Sequence, residues 1–80
     1  MTVRVLLFAS YADAVGAPEV SLELPDDARV RDVVAQVKTL TRGSRVPDHP
    51  LVAVNERYAH EDQPVSATDE VAIIPPVAGG

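Results

Sequence analysis

The stretch Val30-Arg-Asp-Val-Val-Ala-Gln-Val-Lys-Thr-Leu40 decides the fold, because it is the longest segment of this 80-residue chain with a helical period. Its apolar residues recur at i, i+3, i+4, i+7 and i+10: Val30, Val33, Val34, Val37 and Leu40. This spacing predicts an amphipathic helix whose apolar side packs against another element. The carboxylates of Asp26 and Asp27 precede it, where they favour the helix dipole, and Gly43 follows as a stop.

Alternating side chains before this helix predict two strands. Residues 3–8 alternate at first, and Leu6 and Phe8 then add apolar side chains to the second face, as in a central strand. Residues 20–24 alternate apolar with polar side chains up to Pro25, which predicts a half-buried strand with a polar outer face.

A short helix is expected between these two strands. Ser10 offers a side-chain N-cap, and residues 11–15 can form one or two turns. Gly16 and Pro18 then end the helix.

The segments after the long helix predict a loop and further strands. Residues 42–50 form a loop by their prolines and polar content, and residues 51–54 form a strand. A short strand is expected near 57–59, a turn around 62–64, and a last strand over 70–74.

This order of elements predicts an α+β protein of the β-grasp, or ubiquitin-like, class. A mixed sheet of about five strands is covered on one face by one main helix. A ferredoxin-like domain would need a second long helix, and the chain after Gly43 has none. We expect a single domain over residues 1–80 with a flexible C-terminal tail over 75–80.

Composition excludes several classes of function. The chain has no cysteine, which removes disulfides and thiol chemistry, and we interpret His49 and His60 as surface residues rather than metal ligands. The net charge of −5 and the scattered basic residues argue against nucleic acid as a partner. The start of the chain lacks the pattern of a signal peptide, and no apolar run is long enough to span a bilayer, so we expect a cytoplasmic protein without a membrane partner.

The chain closes with Gly79-Gly80, after an apolar strand and the pair Pro75-Pro76. Two residues without side chains make a thin substrate for a narrow active site, and the reactive group is the α-carboxylate of Gly80. The alternative is an ordinary frayed terminus. The prolines fix φ and lack amide donors, so they either stiffen the exit of the tail or simply terminate the strand.

Four segments carry a family resemblance. They are Val5-Leu6-Leu7-Phe8-Ala9, Val54-Asn55, Asp69-Glu70-Val71-Ala72 and Pro75-Pro76-Val77-Ala78-Gly79-Gly80. Over essentially its whole length, the chain resembles the small subunit of molybdopterin synthase. The run from 69 to 80 is much more specific than a terminal Gly-Gly alone.

The resemblance implies a sulfur carrier that is not a catalyst on its own and binds no cofactor. A ubiquitin-activator-like adenylyltransferase would use ATP to convert the Gly80 carboxylate into an acyl-adenylate, and a sulfur donor enzyme would supply the sulfur of a thiocarboxylate. The large subunit of molybdopterin synthase would then receive the tail, and the sulfur would pass to a pyranopterin precursor of the molybdenum cofactor. Gly79 would keep the tail narrow.

The resemblance also implies a hydrophobic contact patch for partners at Phe8, Tyr58 and Ile74. A lone phenylalanine in a small aliphatic protein is alternatively a core residue. Two rival classes of function remain: a sulfur carrier or ubiquitin-like modifier of another pathway (thiamine, transfer-RNA thiolation or cysteine synthesis), and a β-grasp adaptor whose terminus is never activated.

Overall fold

The computed structural model describes residues 1–41, 46–47 and 49–75. In these ranges the elements follow the predicted order: β1 (Thr2–Leu7), α1 (Ala9–Val15), β2 (Glu19–Glu23), α2 (Val30–Leu40), β3 (Leu51–Val54), β4 (Arg57–Tyr58) and β5 (Glu70–Ile74). Neither helix is long and apolar enough to cross a membrane in the part of the chain that is described.

The five strands form one mixed sheet in the order β2-β1-β5-β3-β4. The two central strands, β1 and β5, are parallel, and the remaining neighbours are antiparallel. In sequence, α2 follows the antiparallel pair β1–β2 and precedes the three remaining strands, so the predicted β-grasp arrangement is confirmed. Because β1 and β5 run in the same direction, their carboxyl ends lie side by side at the same end of the sheet.

One face of the sheet is buried under α2. Val5, Val71 and Ile73 from the central strands are fully buried and share one core with the apolar side of the helix. That side consists of Val30, Val33, Val34 and Val37. Full burial of such a side chain stabilises the fold by roughly 1.5–3 kcal/mol relative to exposure, so this small aliphatic core accounts for why the helix must dock.

The prediction that Leu40 belongs to the buried stripe is wrong, since 46% of this residue is exposed. At about 3.6 residues per turn, the tenth residue after Val30 has rotated to the margin of the stripe. It is also the last residue of the helix, and Thr41 forms the C-cap. Gly43, the predicted stop, lies outside the described residues.

The amino end of α2 is held by the loop that precedes β5. The backbone N–H groups of Val30 and Arg31 donate to the carbonyl oxygens of Gln63 and Glu61, each at 2.9 Å. Within the first turn, Oδ2 of Asp32 accepts a 2.8 Å bond from the N–H of Arg29. The free amides of the helix end are therefore satisfied by the chain itself.

Helix α1 starts two residues earlier than an N-cap at Ser10 would require. The N-cap is Phe8, which is extended and makes no side-chain capping bond, and the helix begins at Ala9. Ala9 has a φ of +48°, so the chain makes its turn there and carries Ser10 into the first helical turn. The predicted end is confirmed, because Gly16 adopts φ +89° and its N–H donates to the carbonyl oxygen of Ala12.

Candidate functional site

The strand that precedes the predicted tail, β5, lies in the middle of the sheet. β5 pairs with β1 on one side and with β3 on the other, where Ile74 lies opposite Leu51. Pro75 follows directly and has no N–H to extend the ladder. The other predicted tail residues, Pro76, Gly79 and Gly80, lie outside the described residues.

The three predicted contact residues come together beside the end of β5. Phe8, Tyr58 and Ile74 line one open depression of about 410 Å³ on the face of the sheet opposite α2. We call the apolar surface formed by these three residues with Leu6, Ala53 and Ala72 the docking face.

Strand register explains the shape of the docking face. Leu6 pairs with Ala72, Ala72 with Ala53, and Ala53 with Tyr58, so these four residues form one row across four strands. Side chains in such a row point to the same side of the sheet. The two alanines provide a low floor, and the larger side chains at both ends provide the walls.

The interpretation of Phe8 as a core residue is wrong. It is 46% exposed, and Tyr58 is 75% exposed. Each aromatic side chain therefore presents apolar area that the described residues leave uncovered, and aromatic residues are enriched at the centres of protein interfaces. This geometry is what a docking surface requires, although the identity of its occupant follows from other observations.

Sequence reasoning missed Leu6, Ala53 and Ala72 as members of the docking face. A signal for Leu6 was present, because it lies out of phase with the buried residues Val3 and Val5 in an alternating strand. No such signal marked the alanines, since a small side chain becomes a floor only when larger neighbours surround it.

The turn between β3 and β4 is fastened to the start of β5. Asn55 and Glu56 both have positive φ, as in the tight turns that join two antiparallel strands. Oδ1 of Asn55 accepts a bond from the N–H of Glu70, and its Nδ2 donates to Asp69, each at 2.9 Å. The segments Val54-Asn55 and Asp69-Glu70, which carried the resemblance separately, thus form one cluster.

This cluster changes the acidity of Asp69. The bond from the Asn55 side chain, together with one from the backbone N–H of Ser66, holds the pKa of the Asp69 carboxyl below its usual value. Hydrogen bonds to a carboxylate favour its charged form. The cluster is therefore tightest with Asp69 ionised.

The same face of the sheet also carries an ion pair, which lies towards β2 from the docking face. Nη2 of Arg4 donates to Oε1 of Glu19 at 2.7 Å, and this hydrogen bond raises the pKa of the Arg4 guanidinium. The side chain of Arg4 is 67% exposed and that of Glu19 is 42% exposed, so solvent screens the pair, which orients the arginine more than it stabilises the fold.

The two histidines lie on the surface, as expected, beside the amino end of α2. Nδ1 of His49 is 2.9 Å from Oε2 of Glu61, and His60 lines the same hollow of about 260 Å³. A neighbouring ion pair joins Arg31 to Asp62. Over the described ranges, no three histidine, cysteine or acidic side chains gather as a metal site would require.

Comparison with known proteins places this architecture. The ThiS family matches residues 5–80. The molybdopterin synthase sulfur carrier subunit of Escherichia coli (strain K12) is 34% identical over 80 residues, which cover 98% of this chain and 99% of that protein. The protein of the same name from Dictyostelium discoideum is 33% identical over 81 residues, which cover 96% and 94% of the two chains.

Solved structures agree with these sequence relatives. SAMP1 of Haloferax volcanii, a small archaeal modifier protein, superposes with a TM-score of 0.83 at 27% identity and covers 100% of both chains. The family resemblance based on residues 5–9, 54–55, 69–72 and 75–80 is confirmed by relatives that extend over nearly the whole chain. This chain belongs to the ThiS family, and its curated relatives include sulfur carrier subunits of molybdopterin synthase.

Proposed function

We propose that this chain is the sulfur carrier subunit of a molybdopterin synthase. The observation that carries the proposal is the exposed apolar docking face at the point where β5 ends and the chain continues to Gly79-Gly80. The full-length similarity to sulfur carrier subunits supports this choice among proteins with a similar terminus.

In the first step, the docking face binds the adenylating enzyme and the tail enters its active site. An α-carboxyl has an ordinary pKa of about 3.3–3.7, so the Gly80 carboxylate is anionic at neutral pH and resists nucleophiles. One carboxylate oxygen attacks the α-phosphorus of ATP, pyrophosphate leaves, and an acyl-adenylate forms. A sulfur donor enzyme then delivers sulfur at the oxidation level of sulfide, which displaces AMP and leaves a thiocarboxylate.

In the second step, the docking face binds the large subunit of the synthase. The thiocarboxylate sulfur forms a bond to a carbon of the pyranopterin precursor while a carbon–oxygen bond at that carbon breaks and the oxygen substituent leaves. Water then cleaves the resulting thioester, which leaves the sulfur on the precursor and regenerates the carboxylate. Two such transfers supply the two sulfur atoms of the dithiolene. Both enzymes would meet the chain in the cytoplasm, where ATP is available.

The carrier supplies the reacting group, and the partners supply the cations. Residues 61–80 contain no lysine or arginine. An anionic tail that enters a buried site needs charge-assisted hydrogen bonds to offset its lost hydration. We therefore assign the basic and acid–base side chains to the active sites of the partners. Gly79, which has no side chain, keeps the tail narrow enough to enter those sites.

The test is reconstitution with the host's own large subunit, adenylating enzyme, ATP, sulfide and pyranopterin precursor. The full chain should support formation of the dithiolene product, and a chain that lacks Gly80 should support none while keeping the same circular dichroism spectrum. Product formation by the shortened chain would exclude the carrier role and leave an adaptor.

The similarity to SAMP1 supports a second candidate, a ubiquitin-like modifier whose activated tail acylates lysine side chains. The two roles share adenylation and differ in the acceptor. Tagged chain expressed in its host should appear as a ladder of larger covalent conjugates, linked through Gly80 to lysine, if it is a modifier. A carrier alone should give no such ladder.

A further inference from the structure

The charge around the docking face is mainly negative. Strand register and the lining of the depression place four glutamates and one arginine on this face of the sheet: Glu19, Glu23, Glu56, Glu70 and Arg4. Arg4 pairs with Glu19, and Glu23 accepts a hydrogen bond from the hydroxyl of Thr2. Within the described residues, the side chains of Glu56 and Glu70 have neither an ion pair nor a hydrogen bond of this kind.

These two carboxylates stand at one end of the apolar depression. Both line it, and with Asn55 they also line an adjoining hollow of about 220 Å³. The two hollows share Glu56 and Glu70, so an apolar floor over Ala53 and Ala72 continues into an acidic end. A partner that fills the floor must therefore place something beside these carboxylates.

The backbone holds both glutamates firmly in place. Glu56 lies in the tight turn with φ +70°, and the N–H of Glu70 is bonded to the side chain of Asn55. The nearest cation in sequence, Arg57, pairs with Val54, which is buried on the other face, so the alternation of the strand directs the arginine away from the docking face. Arg4 lies opposite Glu70 in the register of β1 and β5, close enough for the two charges to interact, but its guanidinium group donates its hydrogen bond to Glu19. The chain therefore neutralises the acidic end only in part.

We propose that the partner covering the docking face presents an arginine between Glu56 and Glu70, next to an apolar side chain that fills the space over Ala53 and Ala72. This inference rests on the proposed function, in which the large subunit covers that face. A guanidinium group is planar and carries five N–H donors, so it can bond two carboxylates at once and still stack on an apolar neighbour.

The pairing gives the encounter its orientation. Rim charges act mainly on association rate and on specificity, and their effect falls with salt. An arginine at the acidic end fixes the orientation of the carrier on its partner, and therefore the place at which β5 ends, since its last residue, Ile74, belongs to the docking face. The apolar contact supplies most of the affinity, and the contact between charges sets the orientation of the two proteins.

The test measures binding of the full chain to the host's molybdopterin synthase large subunit by surface plasmon resonance, at low and at high salt. The double variant Glu56→Gln/Glu70→Gln removes the acidic end. The matched control, Asp13→Asn/Asp27→Asn, changes the net charge equally at exposed residues away from the docking face.

We expect the glutamine variant to bind roughly threefold to tenfold more weakly at low salt, chiefly through a slower association rate, and to lose most of its salt dependence. The control should match the wild type. If the wild type binds and both variants match it at every salt concentration, the inference is overturned and the proposed function stands. If the wild type does not bind the large subunit at all, the proposed function fails and the inference falls with it.

Discussion

The side-chain amide of Asn55 donates a 2.9 Å hydrogen bond to Oδ1 of Asp69, which joins the β3–β4 turn to the residue before β5. The backbone N–H of Asn55 also donates to the carbonyl oxygen of Glu70 at 2.8 Å. Together these bonds fix the register in which Ala53 lies opposite Ala72, the floor of the docking face. A turn residue distant from the tail therefore helps to define the surface beside it.

Replacement of Asn55 should separate hydrogen bonding from backbone conformation. Asn55→Gly keeps the left-handed backbone accessible and loses only the side-chain bonds, so we expect a loss of about 1–2 kcal/mol in the free energy of unfolding. Asn55→Ala should cost roughly 1–2 kcal/mol more, because alanine disfavours φ +53°. Urea unfolding of both variants measures the difference, and equal losses would show that the backbone conformation carries no strain.

The lowered pKa of Asp69 predicts an acid-dependent contribution to stability. Because the folded pKa is depressed, the contribution is fully present above the unfolded value of about 3.9 and is lost as the pH falls through the lower folded pKa. Asp69→Asn should therefore be less stable than the wild type at pH 7. The gap between their free energies of unfolding should shrink as the pH falls below the pKa of the carboxyl in the unfolded chain. Urea titrations over this range test it, with the exposed Asp13→Asn as control; a gap independent of pH contradicts the assignment.

Two large apolar side chains of equal exposure allow a matched test of the docking face. Phe8 lies on this face and Leu40 at the end of α2, and each is 46% exposed. Phe8→Ala should weaken binding to the large subunit at least tenfold, as expected for a contact worth more than about 1.4 kcal/mol. Leu40→Ala should leave the dissociation constant unchanged. Calorimetric titration decides the matter, and equal effects of the two substitutions would remove Phe8 from the interface.

Adjacent isoleucines in β5 should report on opposite faces of the sheet. Ile73 is fully buried under α2, so Ile73→Ala should lower the free energy of unfolding by about 2–5 kcal/mol. Ile74 lines the docking face, and Ile74→Ala should cost less stability but weaken partner binding. Unfolding and binding measured on both variants check this division; a stability loss for Ile74→Ala as large as that for Ile73→Ala contradicts the observed register.

Much of this fold was predictable from period and composition alone. The valines from Val30 to Val37 specify the covering helix, and the alternation in β1, β2 and β5 specifies strands with one buried face. Strand pairing was less accessible, because nothing local in sequence says that β5 inserts between β1 and β3. Ser10 failed as an N-cap because the chain turns at Ala9, ahead of the residue with the best capping side chain.

The candidate site was predictable only where a residue matched a family pattern. Phe8, Tyr58 and Ile74 came from the resemblance, and the structure brings them to one surface. The alanine floor and the acidic end formed by Glu56 and Glu70 depend on which strands become neighbours. Such properties of a surface arise from register between segments far apart in sequence, which the periodicity of a single segment does not contain.

The most direct test of the sulfur carrier role is the intact mass of the chain purified from its own host. Replacement of one terminal oxygen by sulfur adds about 16 Da, and the account predicts this increase on Gly80, its loss when Gly80 is deleted, and its return when the purified chain is treated with adenylating enzyme, ATP and a sulfur source. A mass that stays unmodified after that treatment would contradict the account.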